Sequence, residues 1–371
     1  MTSGHVEPSA RLCERLRMLS SLHSSTKKVA ACVLAAATAI AGMTGAVSTA
    51  PQASAKPITT QVDLPAAKDV PWAETVGHGP KEDSFVQATL LGMTNPALAP
   101  QGANVECTPR PGENPIVLLH GLNSNFYSTY ARMAPELAAA GFCVYGFNYG
   151  DPRPMTVDNA TAPGLIPGLN ALNPMADSAD EVTAKIDEIR QKTGADDVDI
   201  IGYSEGGTMA AAYAKRKEGK GVGKVITLGG VLKGTTVLGL NHLYQELDAA
   251  QLPISTVVGA LGGPASNDLL TGSDFMTHEM NDVEVPGVKY VSISSHADLV
   301  VTPTTHAQFT TGAESGKDVD VSNIVTQDGY NKDYGDHLSY TTNPRVIAYA
   351  MNALGRDVAV PCVPAVLFAT S

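Results

Sequence analysis

Short uninterrupted apolar runs alternate along the chain with longer stretches in which apolar residues recur every third or fourth position. Pro115 to His120, with Ile116-Val117-Leu118-Leu119 inside it, is the first such run and reads as a strand buried on both faces. Tyr127 to Ala140 follows, with Tyr130, Met133, Ala134 and Leu137 at helical spacing. Cys143 to Tyr149 predicts a second strand, and Asp177 to Lys192 a charged amphipathic helix stopping near Gly194. Val198 to Tyr203 is a third strand, Glu205 to Arg216 the helix after it, and Lys224 to Leu228 a fourth strand. Lys289 to Ser294 and Val321 to Thr326 are the fifth and sixth, and Pro344 to Leu354 is a closing helix. Strands alternating with helices predict an α/β domain, with a mostly parallel central sheet and helices on both faces.

Two segments interrupt the alternation. Asp151 to Pro174 is a long loop rich in Pro, Gly, Asn and Leu, and Val237 to Met280 is an insert containing Val257 to Gly263 and Gly272-Ser273-Asp274-Phe275. Both leave carboxyl ends of strands, where an open α/β sheet binds its ligands, so their apolar residues are expected to line a pocket.

The N-terminus follows other rules. Arg15, Arg17, Lys27 and Lys28 precede an apolar Ala-rich stretch from Val29 to Ala46, and Ala53-Ser54-Ala55 has the form of a cleavage site. A signal peptide over 1–55, cleaved after Ala55, is expected, and with it a secreted protein. An uncleaved anchor is the alternative, but the stretch is only weakly apolar. Cys32 precedes the stretch, whereas a lipidated cysteine should follow it. Residues 56–82, rich in Pro, Ala and Lys and without periodicity, predict an exposed, flexible arm ahead of one catalytic domain over 83–371.

Charge and cysteine content narrow the partners. The 371 residues carry a net charge of −12, and removing a leader with five Lys/Arg and two Asp/Glu makes the remainder more acidic. Nucleic acid, which is bound through clustered Lys and Arg, is not an expected partner; the acidity reads as solubility. Cys107, Cys143 and Cys362 remain after the leader, and oxidising surroundings allow a bridge. Cys107 and Cys143 adjoin two runs that should be neighbouring strands and are expected to pair, leaving Cys362 over.

The pentapeptide Gly202-Tyr203-Ser204-Glu205-Gly206 lies between the third strand and a helix signal of small residues, Gly207-Thr208-Met209-Ala210-Ala211-Ala212. A strand-to-helix turn of this kind pushes its serine off the end of a sheet, and the outer glycines leave room for the turn. Ser204 is therefore the candidate nucleophile. It needs a base, an acid to orient the base, and amides to hold an oxyanion.

His337, in Asp333-Tyr334-Gly335-Asp336-His337-Leu338-Ser339, lies in the loop between the sixth strand and the closing helix and is the candidate base. His296, His306 and His242 read as surface or supporting histidines. Asp298, directly past the fifth strand, is the candidate acid; Asp336 is poorly placed to bridge His337, and Asp274 is the next competitor. The backbone amides of Leu122, in the His120-Gly121-Leu122 turn, and of Glu205 are the candidate oxyanion donors, with His120 bracing the turn. The histidines, acids and cysteines lack metal-ligand spacing, and no metal or cofactor is implied.

In order along the chain, Val117-Leu118-Leu119-His120-Gly121, Gly141-Phe142-Cys143-Val144-Tyr145-Gly146-Phe147-Asn148-Tyr149-Gly150, Gly202-Tyr203-Ser204-Glu205-Gly206-Gly207, Gly234-Thr235-Thr236, Gly272-Ser273-Asp274-Phe275 and Asp336-His337-Leu338 resemble the exported class 2 triacylglycerol lipases of bacteria. The resemblance spans roughly residues 83–362. It implies an α/β-hydrolase fold acting on acyl esters, with Ser204, Asp298 and His337 at the positions of the family triad. Two positions depart from the family pattern. Glu205 stands where such lipases often have Gln, placing a carboxylate beside the oxyanion site, and Gln327 to Tyr334 lacks the cysteine many relatives carry, so Cys362 has no evident partner.

The expected activity is hydrolysis of a lipid or small ester through an acyl-enzyme, by a monomer able to work at a lipid-water interface. Acyl transfer to an envelope glycolipid or sugar is the alternative, because an alcohol can resolve the same intermediate. A catalytically silent hydrolase fold used for binding is a third reading and would require a broken triad.

Overall fold

The run Val198-Asp199-Ile200-Ile201-Gly202-Tyr203 is buried along its whole length, so it must be a strand covered on both faces. The computed structural model describes residues 64, 67–75, 77–154, 161–237 and 254–365, all within the unit Ile58–Ser371. The expected leader and its cleavage point lie outside the described residues, as does His242.

In chain order the elements are β1 (His78–Gly79), α1 (Phe85–Thr94), β2 (Ala99–Pro100), β3 (Ile116–Leu119), α2 (Phe126–Tyr130), α3 (Met133–Ala139), β4 (Val144–Gly146), α4 (Met175–Thr193), β5 (Val198–Tyr203), α5 (Glu205–Arg216), β6 (Val222–Leu228), α6 (Ile254–Asp268), β7 (Lys289–Ser294), α7 (Gly312–Ser315), β8 (Asp320–Val325) and α8 (Pro344–Leu354). Single helical turns stand at Pro163–Leu165, Phe275–Glu279, Thr304–Ala307 and His337–Ser339. Six strands form one wholly parallel sheet in the order β4-β3-β5-β6-β7-β8, so β5 lies inside it. β1 and β2 pair separately.

Side chains alternate across each strand, and the sheet feeds two cores. Val117, Leu119, Ile200, Val225 and Tyr290 pack on one face with α4 and α5, through Val182, Ile186, Ile189 and Ala210 to Ala214. Ile116, Leu118, Ile201, Ile226 and Val291 pack on the other with α2, α3 and α8, through Phe126, Tyr130, Leu137, Val346, Ile347 and Leu354. Asp199 breaks the apolar run of β5. It is buried, and it is paired with Lys224 Nζ at 2.7 Å and Asn114 Nδ2 at 2.9 Å, the partners a buried carboxylate requires. The structure joins Cys107 and Cys143, with Cα atoms 5.5 Å apart, and leaves Cys362 free and exposed.

Several boundaries differ from those expected. The single helix over Tyr127 to Ala140 is two, α2 and α3, because Pro135 has no N–H to donate back to the Ala131 carbonyl. The Ala131 carbonyl takes the Glu82 amide instead, at 3.3 Å. The second strand stops at Gly146. Past it Asn148 turns the chain away, its Oδ1 accepting the Phe126 amide at 2.7 Å and its Nδ2 donating to the Pro96 carbonyl at 3.0 Å. β6 begins at Val222, before the position expected, with Gly223 concealing its start. The sequence does not predict α1: its apolar residues are spread around the helix rather than gathered on one face, so no stripe marks it.

The expected exposed arm is not what the described part of 56–82 forms. Val70 is buried and its amide donates to the Asn104 carbonyl at 3.0 Å, Asn104 Nδ2 donates to buried Thr75 at 2.7 Å, and Trp72 packs on Tyr145 with ring centres 5.6 Å apart. A segment that docks through single residues carries no periodicity to reveal it.

Candidate active site

β5 ends at Tyr203, and Ser204 begins α5 with φ 54° and ψ −122°, a conformation that costs a non-glycine residue about 1–3 kcal/mol. The fold holds it there. Its amide donates to the Leu228 carbonyl at 3.0 Å on the neighbouring strand, and its carbonyl accepts the Gly207 amide at 2.9 Å. A Cβ on Gly202 would collide with the Gly206 carbonyl, and one on Gly206 with the Leu119 carbonyl. Both glycines are therefore dictated by the closeness of strand and helix.

Ser204 Oγ lies 2.9 Å from His337 Nε2, and His337 Nδ1 lies 2.8 Å from Asp298 Oδ2. All three side chains are nearly buried. Asp298 Oδ1 accepts the amides of Val300 at 2.8 Å and Val301 at 2.9 Å, and Tyr340 Oη donates to Oδ2 at 3.2 Å. Burial pushes this carboxyl up, but His337 and the two amides outweigh it and hold it below the usual carboxylate range. An ionised Asp298 accepting from Nδ1 leaves Nε2 as the acceptor facing the serine.

The structure thus brings together Ser204, Asp298 and His337 and sets the competitors apart. His296 is exposed, and His306 Nδ1 bonds to the Gly234 carbonyl at 2.8 Å. Asp336 starts the turn that carries His337, its carbonyl accepting the Ser339 amide and hydroxyl, while Asp274 is exposed. Two supporting tyrosines escaped the sequence reading. Tyr203 Oη donates to the His337 carbonyl at 3.1 Å, and Tyr340 reaches Asp298; an aromatic before the serine and another three residues past the histidine were the only signals.

The turn His120-Gly121-Leu122 runs against the serine, since a Cβ on Gly121 would lie 3.0 Å from Ser204 Cβ. His120 braces it. Its Nδ1 bonds to the Gly121 carbonyl at 2.9 Å, its Nε2 accepts the Tyr149 amide at 3.3 Å, and burial pulls its pKa down to about 4, so the ring is neutral. The Glu205 side chain is fully buried, and burial first, then Asp268, push its carboxyl well above the usual range, disfavouring the charged form. The described parts of the two long loops meet near this turn. α6, kinked at Gly263, packs on the Pro163–Leu165 turn, and a Cβ on Gly262 would lie 3.9 Å from Leu122 Cδ2.

Residues 114–256 match the family model for the alpha/beta hydrolase fold. No curated protein matches the chain. Among solved structures the chain is similar to lipase BlEst2 of Bacillus licheniformis in its mature form, at 19% identity and a TM-score of 0.45, covering 67% of this chain and 94% of that one. It is also similar to a structure from Nitrososphaera gargenis described with carboxylesterases, at 16% identity and a TM-score of 0.41 over 67% and 91% of the two chains. An extracellular alpha/beta-hydrolase from a Paenibacillus species is 19% identical, with a TM-score of 0.40, over 66% of this chain and 100% of that one. With six parallel strands, helices on both faces and a serine on the sharp turn after an inner strand, the chain has the α/β-hydrolase fold.

Proposed function

We propose that this chain is an exported serine hydrolase of carboxylic esters, with Ser204 as nucleophile, His337 as base and Asp298 as the orienting acid. The observation that carries the reading is the unbroken relay from Ser204 Oγ through His337 to Asp298, at 2.9 Å and 2.8 Å. His337 Nε2 takes the Ser204 proton as Oγ attacks the ester carbonyl. The Leu122 and Glu205 amides hold the oxyanion, and the imidazolium then protonates the leaving alcohol. Water repeats the sequence on the acyl-enzyme, and the fatty acid leaves.

Leu122, partly buried beside the serine, and exposed Leu299 and Val300, next to the acid, support an apolar acyl group as the bound part of the substrate. The finer assignment is to the exported class 2 triacylglycerol lipases. The Cys107 to Cys143 bridge supports an oxidising compartment and hence export. In purified protein, Ser204→Ala is expected to lower kcat on p-nitrophenyl butyrate by on the order of 10⁶-fold, to background. Turnover that survives the substitution would overturn the reading.

A further inference from the structure

β7 and β8 lie side by side, with Ser294 opposite Val325, and each delivers one half of the Asp298 to His337 contact from the loop that follows it. No bridge ties the two loops. Gln327 to Tyr334 contains no cysteine, and Cys362 is free and exposed.

Two polar side chains join them instead. Gln327 Oε1 accepts the His296 amide at 3.0 Å, and its Nε2 donates both to Ser295 Oγ at 2.9 Å and to the Asp333 carbonyl at 2.8 Å. Ser295 Oγ donates to the Gly335 carbonyl at 2.6 Å and accepts a second bond from the Ala297 amide at 3.1 Å. The buried Ser295 hydroxyl thus uses its one donor and both acceptor positions. Each side chain bonds to both loops at once. The far side of the histidine loop is tied separately: Asp333 accepts the Gly335 amide at 2.9 Å and Asn343 Nδ2 at 3.1 Å, with Arg345 Nε 3.4 Å away.

We propose that Ser295 and Gln327 are positioning residues, whose shared hydrogen-bond knot sets the Asp298 to His337 contact and through it the reactivity of Ser204. The inference rests on the relay reading above. The knot grips the acid loop three residues before Asp298 and the histidine loop two residues before His337, leaving each stem little freedom. A fully satisfied buried network is rigid, whereas a displacement of about 1 Å in a catalytic group can cost on the order of a hundredfold in rate.

The test uses Ser295→Ala, Gln327→Glu and the double variant. Gln327→Glu keeps the size of the side chain but removes both Nε2 donors. Each single variant is expected to lose roughly a hundredfold in kcat on p-nitrophenyl butyrate with little change in KM. The double variant should lose no more than the worse single, because either change opens the same knot. The far-downfield NMR proton of the His337 Nδ1–H bound to Asp298 is expected to shift or to disappear by exchange. Leu354→Ala, in the core contact of α8, supplies a control of similar Tm loss that retains wild-type kcat and the same NMR signal. Variants with lowered Tm but unchanged kcat and proton signal would overturn the proposal, leaving the knot a purely structural feature. Should Ser204→Ala keep its turnover, the relay reading falls and the proton signal alone decides: a change in the variants upholds the knot, an unchanged signal overturns it.

Discussion

Glu205 occupies a site with no room for a charge. It is fully buried, and burial, reinforced by Asp268 and only partly offset by Tyr149, holds its pKa well above 4.5. The folded chain keeps this proton over a pH range in which the unfolded chain has released it. The contribution to stability is therefore complete below pH 4.5 and is lost as the pH rises from there through the folded value. Glu205→Gln removes the titration. In denaturant unfolding, the stability of this variant relative to the wild type is expected to climb with pH above 4.5, and a flat difference would contradict a buried neutral acid. The residues proposed to react are legible in the sequence for physical reasons: the glycines about Ser204 are dictated by the turn, and Asp298 and His337 follow strands that an apolar run identifies. Ser295, Gln327 and Tyr340 are not legible. They are polar or aromatic residues in loops without periodicity, and they meet only because β7 and β8 pair in one register.

At the scale of elements, the site depends on how closely β5 and α5 approach. Gly202→Ala would drive a Cβ into the Gly206 carbonyl, which cannot withdraw without moving the helix. The substitution is expected to cost about 1–3 kcal/mol in unfolding free energy and most of the ester turnover, whereas wild-type values in both would show the turn to be looser than described. The inner strands could be read because Ile116 to Leu119 and Val198 to Tyr203 are apolar enough to demand burial on both faces. Helix boundaries were harder. Pro135 splits one apolar stripe into α2 and α3, and α6 is broken at Gly263, where φ is 75° and Pro264 follows, so neither reads as one clean period. β1 and β2 are too short to carry a pattern of their own.

Across the whole molecule, the Cys107 to Cys143 bridge ties the segment before β3 to the start of β4, over a sequence separation of 36 residues. Closing a loop of that length stabilises a fold by roughly 3–4 kcal/mol in the chain-entropy account. The double variant Cys107→Ser, Cys143→Ser is accordingly expected to unfold at lower temperature in calorimetry, and an unchanged Tm would mean that the sheet edge holds without the bridge. The parallel sheet, the pairing of these cysteines and the shared edge carrying Ser204, Asp298 and His337 all follow from strand order, which apolar runs reveal. The docking of Val70 and Trp72 does not, since each acts singly. The central claim is that Ser204 is a nucleophile activated by the relay. Its most direct test is treatment of the purified protein with an alkyl p-nitrophenyl phosphonate, followed by mass spectrometry of its peptides. One covalent adduct per chain at Ser204, absent from Ser204→Ala, is the predicted result; no adduct, or an adduct elsewhere that persists in Ser204→Ala, would contradict it.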